Sequence, residues 1–102
     1  MNADFSIDSV VYISHDNKGV TLNMSDGTSF SDNITYYHVI RMLGEKFVRV
    51  NKNTIVNLEY VVRMLEDTVF MVNDYKFNID SEYSKNATNA FYKMKLENFL
   101  PN

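Results

Sequence analysis

FVRVNKNTIVNLEYV, residues 47–61, is the stretch on which the reading of the fold turns. Val48 and Val50 alternate with Arg49 and Asn51, the two-residue period of a strand with one inward face. Lys52-Asn53-Thr54 interrupts the apolar pattern, Ile55-Val56 resumes it, and Asn57-Leu58-Glu59 suits a short helical turn leading into the next strand. Asn57 has a side-chain oxygen suited to cap that turn.

The same period extends outward on both sides. Upstream, residues 10–31 form two or three strands, with Val20, Leu22 and Met24 alternating against Thr21, Asn23 and Ser25, and Asp26-Gly27 marks a hairpin turn. A helix follows over 34–43: it is capped by Asp32 or Asn33, carries Ile34, Tyr37, Val39, Ile40 and Leu43 on its apolar face, and stops at a left-handed Gly44. Downstream, strands over 60–65 and 68–72 flank the charged pair Glu66-Asp67. Asn73-Asp74 supplies a turn, and Tyr75, Phe77 and Ile79 alternate with Lys76, Asn78 and Asp80. From Ser81 to Leu100 no Gly or Pro intervenes, and Ala87, Ala90, Phe91 and Met94 fall at helical spacing before Pro101. Tyr36, Tyr37, Met42, Met64, Met71 and Met94 suit core packing or a partner surface better than a cofactor site. The expected class is mostly β (α+β).

With 102 residues, 45% of them hydrophobic, the chain suffices for one core, so a single domain over 1–102 is expected. Cysteine is absent, which excludes disulfides and thiolate metal sites and makes a reducing, cytoplasmic setting the natural expectation. No signal peptide or membrane span is legible. Neither His15 nor His38 has a second ligand at metal spacing. There is no G-x-S-x-G elbow, no H-E-x-x-H pair and no phosphate-cradling glycine loop, so neither catalysis nor a cofactor is expected.

A net charge of -3 is the wrong sign for a generic polyanion binder. Yet Arg41, Lys46, Arg49 and Lys52 lie close together with Glu45 as the only acid among them, which allows a local positive surface. Read without further context, Arg49 and Lys52 are solvated charges of an edge strand.

Taken as a whole, 47–61 resembles the signature of LytTR-type DNA-binding domains, which runs roughly F-x-R-x-H-R-S-x-x-V-N followed by a hydrophobic residue. Phe47, Arg49, Val56, Asn57 and Leu58 match it, and VVYISHDNKGVTL (10–22) resembles the family's opening strand, loop and strand. The resemblance implies an elongated β-β-β arrangement of short antiparallel sheets, with a helix after the first strands and a second at the C-terminus. It implies duplex DNA as partner, at paired promoter repeats occupied by two copies side by side as a homodimer on DNA, and it leaves room for a receiver domain in a longer regulator. Loops at one sheet edge, rather than a recognition helix, would enter the major groove. On that basis Lys52 is the principal DNA contact, Arg49, Asn51 and Asn53 flank it, and Lys18 and His15 serve from the first loop.

Two departures bear on function. Asn51 stands where relatives usually carry His, and it hydrogen-bonds without charge. Where relatives end the last strand with P-V-S-R-R-Y, this chain has Asn78, Ile79, Asp80, Ser81, Glu82 and Tyr83, placing carboxylates where donors are expected. Asp80 or Ser81 suits a cap for the last helix, with Glu82 favoured in its first turn. These acids motivate a competing expectation: a protein-interaction or dimerisation module with a LytTR-like fold that has lost most DNA binding.

Overall fold

The computed structural model describes residues 6–33 and 36–99. Strands β1 (Val10–Asp16), β2 (Gly19–Met24), β3 (Ser29–Asp32), β4 (Phe47–Asn51) and β5 (Thr54–Asn57) build a five-stranded antiparallel sheet in the order β3-β2-β1-β5-β4. Strands β6 (Val61–Met64), β7 (Thr68–Met71) and β8 (Lys76–Asn78) build a three-stranded one. Helix α1 (Tyr36–Met42) lies between β3 and β4, and α2 (Ser81–Phe99) closes the described chain. The described body measures 40 × 32 × 26 Å.

The larger sheet is covered on both faces except along its exposed edge strand β3. Val10, Ile13, Val20, Met24, Phe47 and Ile55 pack on one side with Val39 of α1. Val11, Val48, Val50 and Val56 pack on the other with Met64, Val69 and Met71 of the small sheet and Ala87 and Phe91 of α2. All four residues of β5 are therefore buried, as a strand covered on both faces requires.

Two bulges adjust this pattern. One between Val10 and Tyr12 puts Val11 and Tyr12 on the same face, so Tyr12 meets Tyr75 and Phe77 of the second sheet at ring separations of 4.8 and 4.7 Å. The other lies between Arg49 and Asn51, where β4 carries one residue more than β5; it re-aims the end of β4. Both expected turns are present. Gly27 takes φ +91 with Thr28 donating back to Asp26, and Asn73 and Asp74 take φ 63 and 65, as a two-residue hairpin turn demands.

Several expectations are corrected. Gly44 is not a left-handed stop, since its φ is not positive; its carbonyl accepts instead from the Phe47 N–H at 3.2 Å, turning the chain directly into β4. Asp32 is the last residue of β3, and the expected cap of the helix by Asp32 or Asn33 falls where the chain runs outside the described residues. Tyr60 lies in the 3-10 turn (Leu58–Tyr60) rather than in the strand after it. Lys46 does not join a basic cluster: it sits before β4, at the opposite end from Lys52, and pairs with Asp8 and with Glu59 at 3.2 Å. Those carboxylates raise its pKa, the Asp8 hydrogen bond most of all. The expected helix start at Ile34, the side chains of Tyr36 and Tyr37, and the stop at Pro101 lie outside the described residues.

Candidate nucleic-acid interface

Three segments meet at one end of the large sheet: the β1–β2 loop, the β4–β5 turn and the junction between β8 and α2. Pairing of β1 with β5 sets the first two side by side, with Ser14 opposite Thr54. Beyond the last pair, the His15 N–H donates to the Asn53 carbonyl at 2.9 Å, and Asn53 Nδ2 donates to the His15 carbonyl at 2.9 Å. The third segment joins through the β4 bulge. The Asp80 N–H donates to the Val50 carbonyl at 2.9 Å, and Asn51 Nδ2 donates to the Asn78 carbonyl at 3.0 Å.

Within the β4–β5 turn, polar side chains bond to the backbone. Asn51 Oδ1 accepts from the Asn53 N–H at 2.9 Å. The Arg49 guanidinium donates from Nε to the Asn51 carbonyl at 3.2 Å and from Nη2 to the Lys52 carbonyl at 2.8 Å, and lies 5.1 Å from the centre of the Tyr83 ring. Lys52 is different. It stands exposed at the tip, and its ammonium has no hydrogen bond or ion pair among the described residues.

The β1–β2 loop is shaped by Asp16, whose Oδ1 accepts from the Lys18 N–H at 2.8 Å, and by Gly19 at φ +141. A Cβ on Gly19 would overlap the Asp32 carbonyl and approach Asn33 Cα to 2.7 Å, so the backbones are close enough here to require glycine. Lys18 is left exposed and His15 half-buried.

All six residues expected from the sequence thus fall at this end of the sheet, Lys18, Lys52 and Asn53 in the loops and His15, Arg49 and Asn51 at the strand ends. Asn51, Asn53 and His15 bond across segments, and Arg49 bonds within its own turn while meeting the Tyr83 ring. Lys18, Arg49 and Lys52 share this end with Asp16, Asp80 and Glu82, so it is neither uniformly negative nor broadly basic. Asp80 occupies the position before α2, its carbonyl accepting from the Tyr83 N–H at 2.9 Å, with Ser81 already inside the helix. Three participants were not singled out from the sequence as parts of the site. The Val50 and Asn78 carbonyls carry no side-chain signal, whereas Tyr83 was legible only as the last residue of the family's closing motif.

These are the features of a small β-rich domain that presents loops, not a helix, at one end. A family model described as the LytTr DNA-binding domain matches residues 4–94, and the chain belongs to that family. It is a DNA-binding family, not a catalytic one. Among solved structures, the chain is similar to the LytTr DNA-binding domain of a protein described as a methyl-accepting/DNA response regulator from Bacillus cereus. The TM-score is 0.73 at 16% identity, over 81% of each chain, a likeness of fold. No curated protein matches the sequence. No helix among the described residues is long and apolar enough to cross a membrane.

Proposed function

We propose that this chain is the DNA-reading part of a transcription regulator, binding a specific duplex site through Lys52 and Lys18. The observation that carries the reading is the exposed Lys52 at the tip of a turn tied to the β1–β2 loop by the His15–Asn53 pair, so that both lysines project from one end. Loops held this way suit entry into the major groove, where an ammonium meets phosphate oxygens or the O6 and N7 of guanine. His15 and Asn53 line the same loops and contribute shorter-range contacts, while Arg49 and Asn51 shape the turn that carries Lys52.

The test is titration of a selected duplex with the wild type, Lys52→Ala and Lys18→Ala across a salt series. Each phosphate contact removed lowers the slope of log K against log salt by about 0.9. The reading expects that loss for Lys52→Ala together with weaker binding; an unchanged slope and affinity for both variants overturns it.

A second reading, a protein-interaction or self-pairing module, is favoured by Asp80 and Glu82 beside the turn, whose charge opposes a phosphate backbone. Absence of any binding to duplex DNA at low salt selects it.

A further inference from the structure

We propose that Tyr83 is a positioning residue of the interface, acting on Lys52 through Arg49; the inference rests on the DNA-binding reading of Lys52. Arg49 reaches along its own turn and donates to two successive carbonyls, those of Asn51 and Lys52, at 3.2 and 2.8 Å. A guanidinium can do this because its donors are fixed in one plane; a lysine ammonium in its place presents a single point. The Tyr83 ring, 5.1 Å from Arg49 Cζ, lies within the range of cation–π attraction and so helps to hold that plane in place.

Tyr83 is itself held. It belongs to the first turn of α2, where its N–H donates to the Asp80 carbonyl, while the Asp80 N–H donates to the carbonyl of Val50, the fully buried residue at the β4 bulge. A continuous path of contacts, hydrogen bonds at both ends and a cation–π contact between, therefore runs from the helix start, through the ring and the guanidinium, to the backbone carbonyl of Lys52. On this account the family's terminal tyrosine position acts in the present chain without touching nucleic acid, and Arg49 serves as a bracket rather than as a phosphate contact.

The experiment uses Tyr83→Leu, Tyr83→Phe and Arg49→Lys, with two readouts. In the DNA-free protein, amide hydrogen exchange of Asn53, whose N–H is bonded to Asn51 Oδ1, is followed by NMR. Exchange is expected to quicken at least fivefold in Tyr83→Leu and Arg49→Lys and to stay within twofold of wild type in Tyr83→Phe, which keeps the ring. In DNA titrations, the same two damaging variants are expected to bind three- to tenfold more weakly with an unchanged salt slope, because no phosphate contact is removed. Should Tyr83→Leu not fold, the contrast between Tyr83→Phe and Arg49→Lys carries the test. Unaltered exchange in Arg49→Lys, or equal damage from Tyr83→Phe and Tyr83→Leu, overturns the positioning role. Quickened exchange in a protein whose wild type binds no DNA upholds the bracket and overturns only the DNA-binding reading.

Discussion

Asn57 Nδ2 donates to the Val10 carbonyl at 2.8 Å while its Oδ1 accepts from the Glu59 N–H at 3.0 Å, and the residue is fully buried. One amide thus fastens the start of β1 to the end of β5 and caps the 3-10 turn that leads into the second sheet. Asn57→Ala leaves a buried carbonyl without its donor and removes the cap, which costs about 3 kcal/mol from the two contributions together. For a chain of this length that lowers the melting temperature by roughly 12–24 °C. Thermal denaturation checks it; a shift of only one or two degrees would mean that water or another donor substitutes at Val10.

On the DNA-binding reading proposed above, the acids at the start of α2 oppose affinity for a phosphate backbone. Glu82 is exposed in the first turn of α2, where it also favours the positive end of the helix. Glu82→Arg exchanges a repelling group for a donor close to the turn that carries Lys52. Affinity for duplex DNA is expected to rise, with the salt slope steeper by about one, and helix stability to fall by about 0.5 kcal/mol. Titration at two salt concentrations checks the first statement and denaturant melts the second. An affinity that does not move would place Glu82 outside the DNA footprint.

Much of this architecture was legible in the order of residues alone. Alternation exposed the strands, Asp26-Gly27 and Asn73-Asp74 marked the hairpins, and Asn57 was recognisable as a cap because its side chain and position suit one. The remainder depended on groups that leave little mark on a sequence. The bulge at Val10–Tyr12 puts two neighbours on one face and that at Arg49–Asn51 re-aims the end of β4, yet any residue type can occupy them. Lys46 read as part of a basic cluster because its partner Asp8 lies far away in the chain. The junction of β8 and α2 is joined to the turn through the carbonyls of Val50 and Asn78, and every residue has a carbonyl.

Two glycines with positive φ should respond differently to substitution. At Gly27, φ is +91 and nothing lies within 4 Å of where a methyl carbon would sit, so Gly27→Ala bears only the backbone cost, about 1 kcal/mol. At Gly19, φ is +141 and the added carbon overlaps the Asp32 carbonyl, so β2 and β3 must separate at their ends. Gly19→Ala is expected to cost about 3 kcal/mol, since strain and a backbone clash add. Because Gly19 closes the loop that carries Lys18, DNA affinity should fall along with stability. Chemical denaturation of the two variants side by side checks the ranking, and equal costs would contradict the close approach.

Asp26 gives a pH signature confined to one hairpin. Its carboxylate accepts from Thr28 Oγ1 at 2.6 Å and from the Thr28 N–H at 2.9 Å, and these bonds, the hydroxyl first, hold its pKa below the ordinary aspartate value. A depressed folded-state pKa means that the charged form favours the folded chain. Its stabilisation is complete above the unfolded-state value near 3.8 and fades as pH falls through the lower folded-state value. Asp26→Asn keeps an acceptor oxygen at the same position but carries no charge. Its stability relative to wild type is therefore expected to be lower at pH 6 and to converge on wild type as the pH approaches 2. Parallel melts of the two proteins across that range check it; a difference that stays constant down to the lowest pH would show that the carboxylate's charge contributes nothing to the turn.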